Sequence, residues 1–158
     1  ANVAEGGFHD NPLLAAVEKH AVAEGAEVVA VCAAIEAEIA QLPPLERPSF
    51  LESLGVAEPA FERIIRTAFR LLDRMCYFTV GEDEVRAWPI RSGDHAPRAA
   101  GRIHCDLERG FIRAEVMHYD DFVALGSEAR ARQEGKLRLE GKEYVVEDGD
   151  ILNIRFSV

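Results

Sequence analysis

The 158 residues are poor in the features that mark most specialised protein classes. Cysteine occurs three times, at Cys32, Cys76 and Cys105, far apart and odd in number, which argues against a disulfide framework and a zinc site. Such usage points to a reducing, cytoplasmic setting. The longest uncharged apolar run, residues 28–35, is eight residues, against the roughly 20 a membrane span needs, so no membrane partner is expected. Positive charge is also short: 18 Lys+Arg against 28 Asp+Glu leave a net charge of −10. That argues against bulk attraction to DNA, RNA or anionic lipid, and any RNA contact must come from a local basic patch. Internal repeats and low-complexity stretches are absent too. What remains, 48% hydrophobic and 29% charged residues, is the composition of a globular protein.

Asn11-Pro12 sets a capping residue before a proline at the first helical position, and Gly25 is placed to end that helix. Leu13, Leu14, Val17 and Ala21 fall on one helical face. Residues 28–31 form an apolar run, the pattern of a parallel strand covered on both faces. A second helix is expected over residues 34–42, stopped by Pro43-Pro44. No other strand-like run precedes residue 75, so the 28–31 strand is expected to lack a neighbour. Unpaired buried backbone is costly, and the chain is therefore expected to be the C-terminal part of something longer.

Residues 43–76 read as a helical connection. Ser49 and Glu52 have capping-box spacing before Gly55, and Phe61, Ile64, Ile65, Ala68, Leu71 and Leu72 predict a packed apolar stripe. From Cys76 the texture changes to short strands with turns: a hairpin over residues 76–90, a helix near Pro97 carrying Ala99, Ala100 and Ile103 inward, and a strand at residues 111–116. Two capped helical turns, a hairpin about Glu140-Gly141-Lys142 and a final strand complete it. This order suits a β-grasp, in which a mixed sheet wraps one helix.

Three constellations could carry chemistry. His104, Cys105, Asp106 and Glu108 cluster in sequence, but only His104 and Glu108 share a helical face, so a surface role outweighs catalysis or metal binding. Arg86, Arg91, Arg98, Arg102, Arg109 and Arg113 alternate with Trp88, His95 and Phe111, which suits either a phosphate-tracking surface with stacking groups or a solvated face. Asn2 and Glu5 sit three apart in a loop before a helix, at the sheet edge where α/β proteins bind ligands. An amide offers donor and acceptor and a carboxylate only acceptors, enough to read a purine edge. A helix-entry loop with the same residues is the plainer alternative.

Residues 77–90, 96–116 and 135–158, with NVAEGGFHDNPLL and VCAAIEAEIAQL upstream, closely resemble the Obg-like ATPase family, the YchF proteins, over nearly the whole chain. The resemblance implies an α/β fold: residues 1–42 the distal part of a P-loop nucleotide domain, 43–76 a helical connector, and 77–158 a β-grasp TGS domain. It implies a ribosome-associated, cytoplasmic P-loop hydrolase that prefers ATP to GTP and uses Mg2+ in the intact protein. Asn2, Val3 and Glu5 match its base-specificity motif, where most GTPases carry Asn-Lys-x-Asp. Cys32 and Ala33 match a later loop whose backbone meets the purine, although Ala34 stands where many relatives have Lys. The TGS domain implies a ribosome or RNA partner. No G-x-x-x-x-G-K-[ST] occurs in these residues, so no catalytic residue and no metal ligand is expected here. The rival expectation is a non-enzymatic RNA- or protein-binding adaptor.

Overall fold

In the computed structural model, which describes residues 1–56, 58–81 and 83–157, Asn11 caps helix α1 (Pro12–Glu24). Its Oδ1 accepts from the N–H groups of Leu13 and Leu14 at 3.1 and 3.2 Å. Gly25 closes the helix at φ 68°, a left-handed conformation that favours glycine. Of the expected apolar face only Leu14 and Ala21 are buried.

The chain divides into two compact units, Ala1–Leu71 and Leu72–Val158. In the first, residues 28–31 are half-buried and only Val31 is bridged, in parallel to Asn2. The expected orphan strand is therefore corrected: the chain's own first residues are its neighbour. Ala1 donates its amino group to the Val29 carbonyl (2.9 Å) and accepts from the Val31 N–H (2.8 Å), and Val3 N–H reaches the Val31 carbonyl (2.7 Å). Helix α2 (Ala33–Gln41) follows, burying Ile35 and Ile39 against Cys32 and Leu51.

Helix α3 (Arg47–Ser53) starts earlier than the capping-box reading allows. Pro48 lies in its first turn, and Ser49 is inside the helix, donating its place as cap to Glu46. Helix α4 (Ala60–Leu71) forms as expected, but its stripe is not packed. Phe61, Ile64, Ile65, Leu71 and Leu72 are all exposed. Helical period says which residues share a face; it does not say what covers them.

The second unit is a five-stranded mixed sheet in the order β2-β1-β5-β3-β4, built from β1 (Arg74–Val80), β2 (Val85–Arg91), β3 (Phe111–His118), β4 (Arg138–Glu140) and β5 (Asp150–Phe156). Only β1 and β5 pair in parallel, at Phe78 and Ile151; the rest are antiparallel. Helix α5 (Ala96–Ile103) crosses one face, and its buried Ala96, Ala99 and Ala100 let it approach the sheet closely. Tyr77, fully buried, donates its hydroxyl to the Ala99 carbonyl at 2.8 Å. This is the expected β-grasp arrangement. Short helices α6 (Cys105–Arg109), α7 (Tyr119–Leu125) and α8 (Glu128–Gln133) follow, the last two beside a second cluster of Met117, Ala131 and Ile151. Gly110 is required by a close approach: an added Cβ would strike the Ser157 carbonyl oxygen.

The expected hairpin about Glu140-Gly141-Lys142 is corrected. Strand β4 pairs with β3, while residues 143–146 make a single bridge, Val145 to His95. Those residues instead serve Asp150, the buried charge of the unit. Its Oδ2 accepts from Tyr144 Oη (2.7 Å) and Glu147 N–H (2.9 Å), with Arg138 Nη2 3.9 Å from Oδ1. Burial, then the Asp150 hydrogen bond, pushes the Tyr144 phenol well above its ordinary pKa, so it stays a donor.

Tyr144→Phe is expected to lower unfolding free energy by about 2 kcal/mol, because it strips a donor from a buried carboxylate, and Tyr77→Phe by about 1 kcal/mol, because its acceptor is neutral. Urea unfolding of both variants checks the order; the reverse order contradicts this account of Asp150.

Candidate functional site

Four of the five residues expected to meet a purine, Asn2, Val3, Cys32 and Ala33, are brought together by backbone pairing and packing; Glu5 is not tied to them. The parallel bridge between Asn2 and Val31 sets the two loops side by side, and Asn2 Oδ1 then accepts the N–H of Ala33 at 3.1 Å. The bond engages one lone pair of the Asn2 carbonyl and the single N–H of Ala33. The Asn2 NH2 group remains as an exposed donor. Ala33 is also the first residue of α2, whose N-cap, Cys32, supplies no side-chain cap.

Val3 and Cys32 sit beneath this edge. Val3 packs half-buried against the cluster that contains Cys32, and Cys32 is 3% exposed. Its side chain is a packing element. Glu5 is exposed and, unlike the other four, lines a cavity of about 420 Å3 with an apolar floor of Phe8, Leu14, Ala30 and Val56. Glu18, Glu58 and Arg63 also line it. Among the described residues the Glu5 carboxylate has no hydrogen-bond partner.

Sequence reading missed the ties that hold this edge to α4. Glu36 Oε1 accepts the Ala60 N–H (2.8 Å) and so caps α4 from α2. Arg63 Nη2 donates to the Ala30 carbonyl (2.8 Å), and Arg70 pairs with Glu27 (3.0 Å). A cap supplied by a residue 24 positions earlier leaves no local signal.

In the second unit, ligand atoms of His104, Cys105 and Asp106 lie within 4.8 Å of one another, the one such group among the described residues. The proximity follows from a short capped helix: His104 Nδ1 accepts the Asp106 N–H (3.2 Å), and Arg109 donates to Cys105 Sγ (3.7 Å). Sulfur and imidazole donors do not suit Mg2+, which prefers oxygen. All three cysteines are free thiols. Burial, then the Asp148 carboxylate, pushes the Cys76 thiol above its ordinary pKa and away from reactivity.

The arginines divide. Arg86 faces the exposed Glu84 at 3.8 Å, Arg109 the half-buried Asp106 at 3.9 Å, and Arg98 the largely buried Asp94 at 3.1 Å. Trp88 is partly exposed beneath Arg86, whereas Phe111 is 2% exposed, so its place among the stacking groups is corrected: it belongs to the core. His95 is held by the Glu143 carbonyl (3.0 Å). On the other sheet face Arg113 stands opposite Arg155, which with Arg132 grips Glu115 at 2.9 and 3.2 Å. Burial works against the Glu115 carboxylate, but the two guanidiniums hold its pKa below the ordinary value.

The YchF-GTPase_C family model, described as "Protein of unknown function (DUF933)", matches residues 75–157. The "Ribosome-binding ATPase YchF" of Haemophilus ducreyi is 54% identical over 158 residues, covering 100% of this chain and 44% of that protein. "Obg-like ATPase 1" of Homo sapiens is 46% identical over 133 residues, 84% of this chain and 33% of that one. Among solved structures, the YchF GTPase of Schizosaccharomyces pombe matches with a TM-score of 0.84 at 35% identity, over 98% of this chain and 42% of that chain. The chain thus spans less than half the length of these relatives.

Asn2→Ala is expected to release the Ala33 amide and speed its hydrogen exchange about tenfold, the loss of one net hydrogen bond. Residue-resolved exchange by NMR reads this directly; an unchanged Ala33 rate contradicts the tie between the two loops.

Proposed function

The chain belongs to the YchF family, and from that membership we propose that it is the base-reading and ribosome-docking portion of a cytoplasmic ATPase. The observation that carries the reading is the Asn2–Ala33 hydrogen bond. With its carbonyl engaged by Ala33, the Asn2 amide faces a ligand as a donor, suited to N7 of either purine. With Ala33 N–H occupied, that residue offers no donor to O6 of guanine. Glu5 supplies acceptors only: at position 6 of the ring it matches the amino group of adenine and opposes the oxo group of guanine, whereas at N1–H and the 2-amino group it would match guanine. In the first placement, the one we propose, the pair favours ATP over GTP. Val3 and Cys32 support the edge from beneath, as their burial suggests.

Phosphoryl transfer needs a phosphate-cradling loop and Mg2+, and these 158 residues contain no such loop motif. In this reading residues 1–42 recognise the base, 43–76 connect, and 77–158 form a TGS domain that docks on RNA. The H. ducreyi relative carries the word ribosome-binding in its name, which supports the docking role. One observation favours the non-enzymatic adaptor as a second reading: the Leu72–Val158 unit has a complete sheet and core of its own.

A chimera decides between them. The segment of the H. ducreyi relative that this chain does not cover is joined ahead of residue 1, and ATP and GTP hydrolysis are measured. The chimera is expected to prefer ATP, and the 158-residue chain alone to hydrolyse neither. Glu5→Gln in the chimera is expected to raise KM for ATP about tenfold, for a hydrogen bond to a charged group. ATP hydrolysis by the short chain, or a Glu5→Gln chimera with unchanged discrimination, overturns the proposal.

A further inference from the structure

Between residues 84 and 102 this acidic chain reverses sign, with Arg86, Arg91, Arg98 and Arg102 against Glu84 and Asp94. One of the four lies on an indole, and a second binds the backbone of the residue next to it. Arg86 and Trp88 lie two apart on β2 and so project to the same face, with the Arg86 guanidinium carbon 4.1 Å from the Trp88 ring centroid. The ring is fixed by Nε1–H donating to Thr79 Oγ1 at 2.9 Å. Arg102 reaches from α5 to donate Nε–H to the Pro89 carbonyl at 3.1 Å, beside Trp88, and Arg98 lies one helical turn before it.

A guanidinium layered on an indole turns its second flat face outward, and a nucleic-acid base stacks on such a plane. The anionic partner of Arg86, Glu84, is an exposed carboxylate, whereas Asp94, the partner of Arg98, is largely buried and also accepts the Arg91 N–H. An exposed pair contributes about 0–1 kcal/mol, so a phosphate can replace Glu84, while Arg98 offers a phosphate the donors that Asp94 leaves free. Arg102 has no carboxylate within 4.0 Å among the described residues. We propose that Arg86 on Trp88, flanked by Arg98 and Arg102, is a binding platform for single-stranded RNA, stacking one unpaired base and holding the adjoining phosphates. The assignment rests on the reading of the Leu72–Val158 unit as an RNA-docking module, and it names the site. Duplex RNA is excluded because its base faces are buried in the stack.

Trp88 is the single tryptophan of the chain, so its fluorescence reports on this site alone. The 158-residue chain is titrated with a 12-nucleotide oligoadenylate, with tryptophan emission and anisotropy of the labelled RNA followed at several salt concentrations. Saturable change in emission is expected, with a log–log salt slope near about −2 for three neutralised phosphates. Arg86→Ala and Arg86→Lys are each expected to weaken binding about tenfold. Arg86→Lys should keep the salt slope, because it keeps the charge and loses only the plane. Arg102→Ala should reduce the slope by about 0.7. These exposed positions spare the core, and circular dichroism of each variant verifies folding.

Oligoadenylate binding that is indifferent to both Arg86 variants overturns the platform while leaving the docking reading intact. Equal affinity for a 12-base-pair RNA duplex, or equal competition by a 12-residue oligoglutamate, also overturns it. No binding of either RNA at 50 mM salt overturns the platform and the docking reading together.

Discussion

Four hydrogen bonds between the first three residues and residues 29–33 hold together the edge proposed to meet a purine. Three are backbone bonds that satisfy groups otherwise orphaned near the core; the fourth is the Asn2 side chain. Once Asn2 and Val31 are in register, Val3 is laid onto the Cys32 cluster and Ala33 becomes the start of α2. The position of α2 in turn presents Glu36 to the first amide of α4. A chain of local consequences thus runs from the leading residues through α2 to the helix that precedes β1.

The second unit depends on a different constraint. Its first and last strands must pair in parallel, which requires everything between them to close as one loop. Asp148 serves that closure directly: its Oδ1 accepts the Cys76 N–H at 2.9 Å, while Gly149 N–H reaches the Cys76 carbonyl at 2.9 Å. Two residues on, Asp150 turns the other way and organises Tyr144, Glu147 and Arg138. A buried carboxylate without these partners would cost far more than an apolar residue. The loop over residues 143–149 is therefore shaped by hydrogen bonding, which explains why its strand-like composition yields only one bridge.

Legibility followed the range of the interactions. Helix α1 was readable at both ends because Asn11, Pro12 and Gly25 act within one turn. The alanine face of α5 was readable because a close-packed helix needs small residues at fixed spacing. The run at residues 28–31 misled because apolar composition reports burial propensity and not partner identity, and the partner was three residues long. The α4 stripe misled similarly: Phe61 and Ile65 share a face, yet nothing in a period specifies a lid. Phe111 could not be separated from exposed aromatics by sequence, since alternation along β3 is interrupted by a bulge after it.

The candidate site shows why residue type alone under-determines recognition. Asn2 and Glu5 are as suited to capping a helix as to reading a base, and which they do depends on the hydrogen bonds already taken. The bond to Asn2 removes the Ala33 N–H from the donors of this edge, and Ala33 contributes through its backbone, which any residue but proline shares. Specificity of this kind is carried by pairing geometry, so a substitution at position 33 can leave it intact while a one-residue slip of the bridge destroys it. The Arg86–Trp88 pair is the converse: its function would reside in two side chains on adjacent positions of one strand face, and it tolerates no slip because a shift by one sends both to the opposite face. Both candidate sites are thus hostage to strand register, one through backbone donors and the other through side-chain direction.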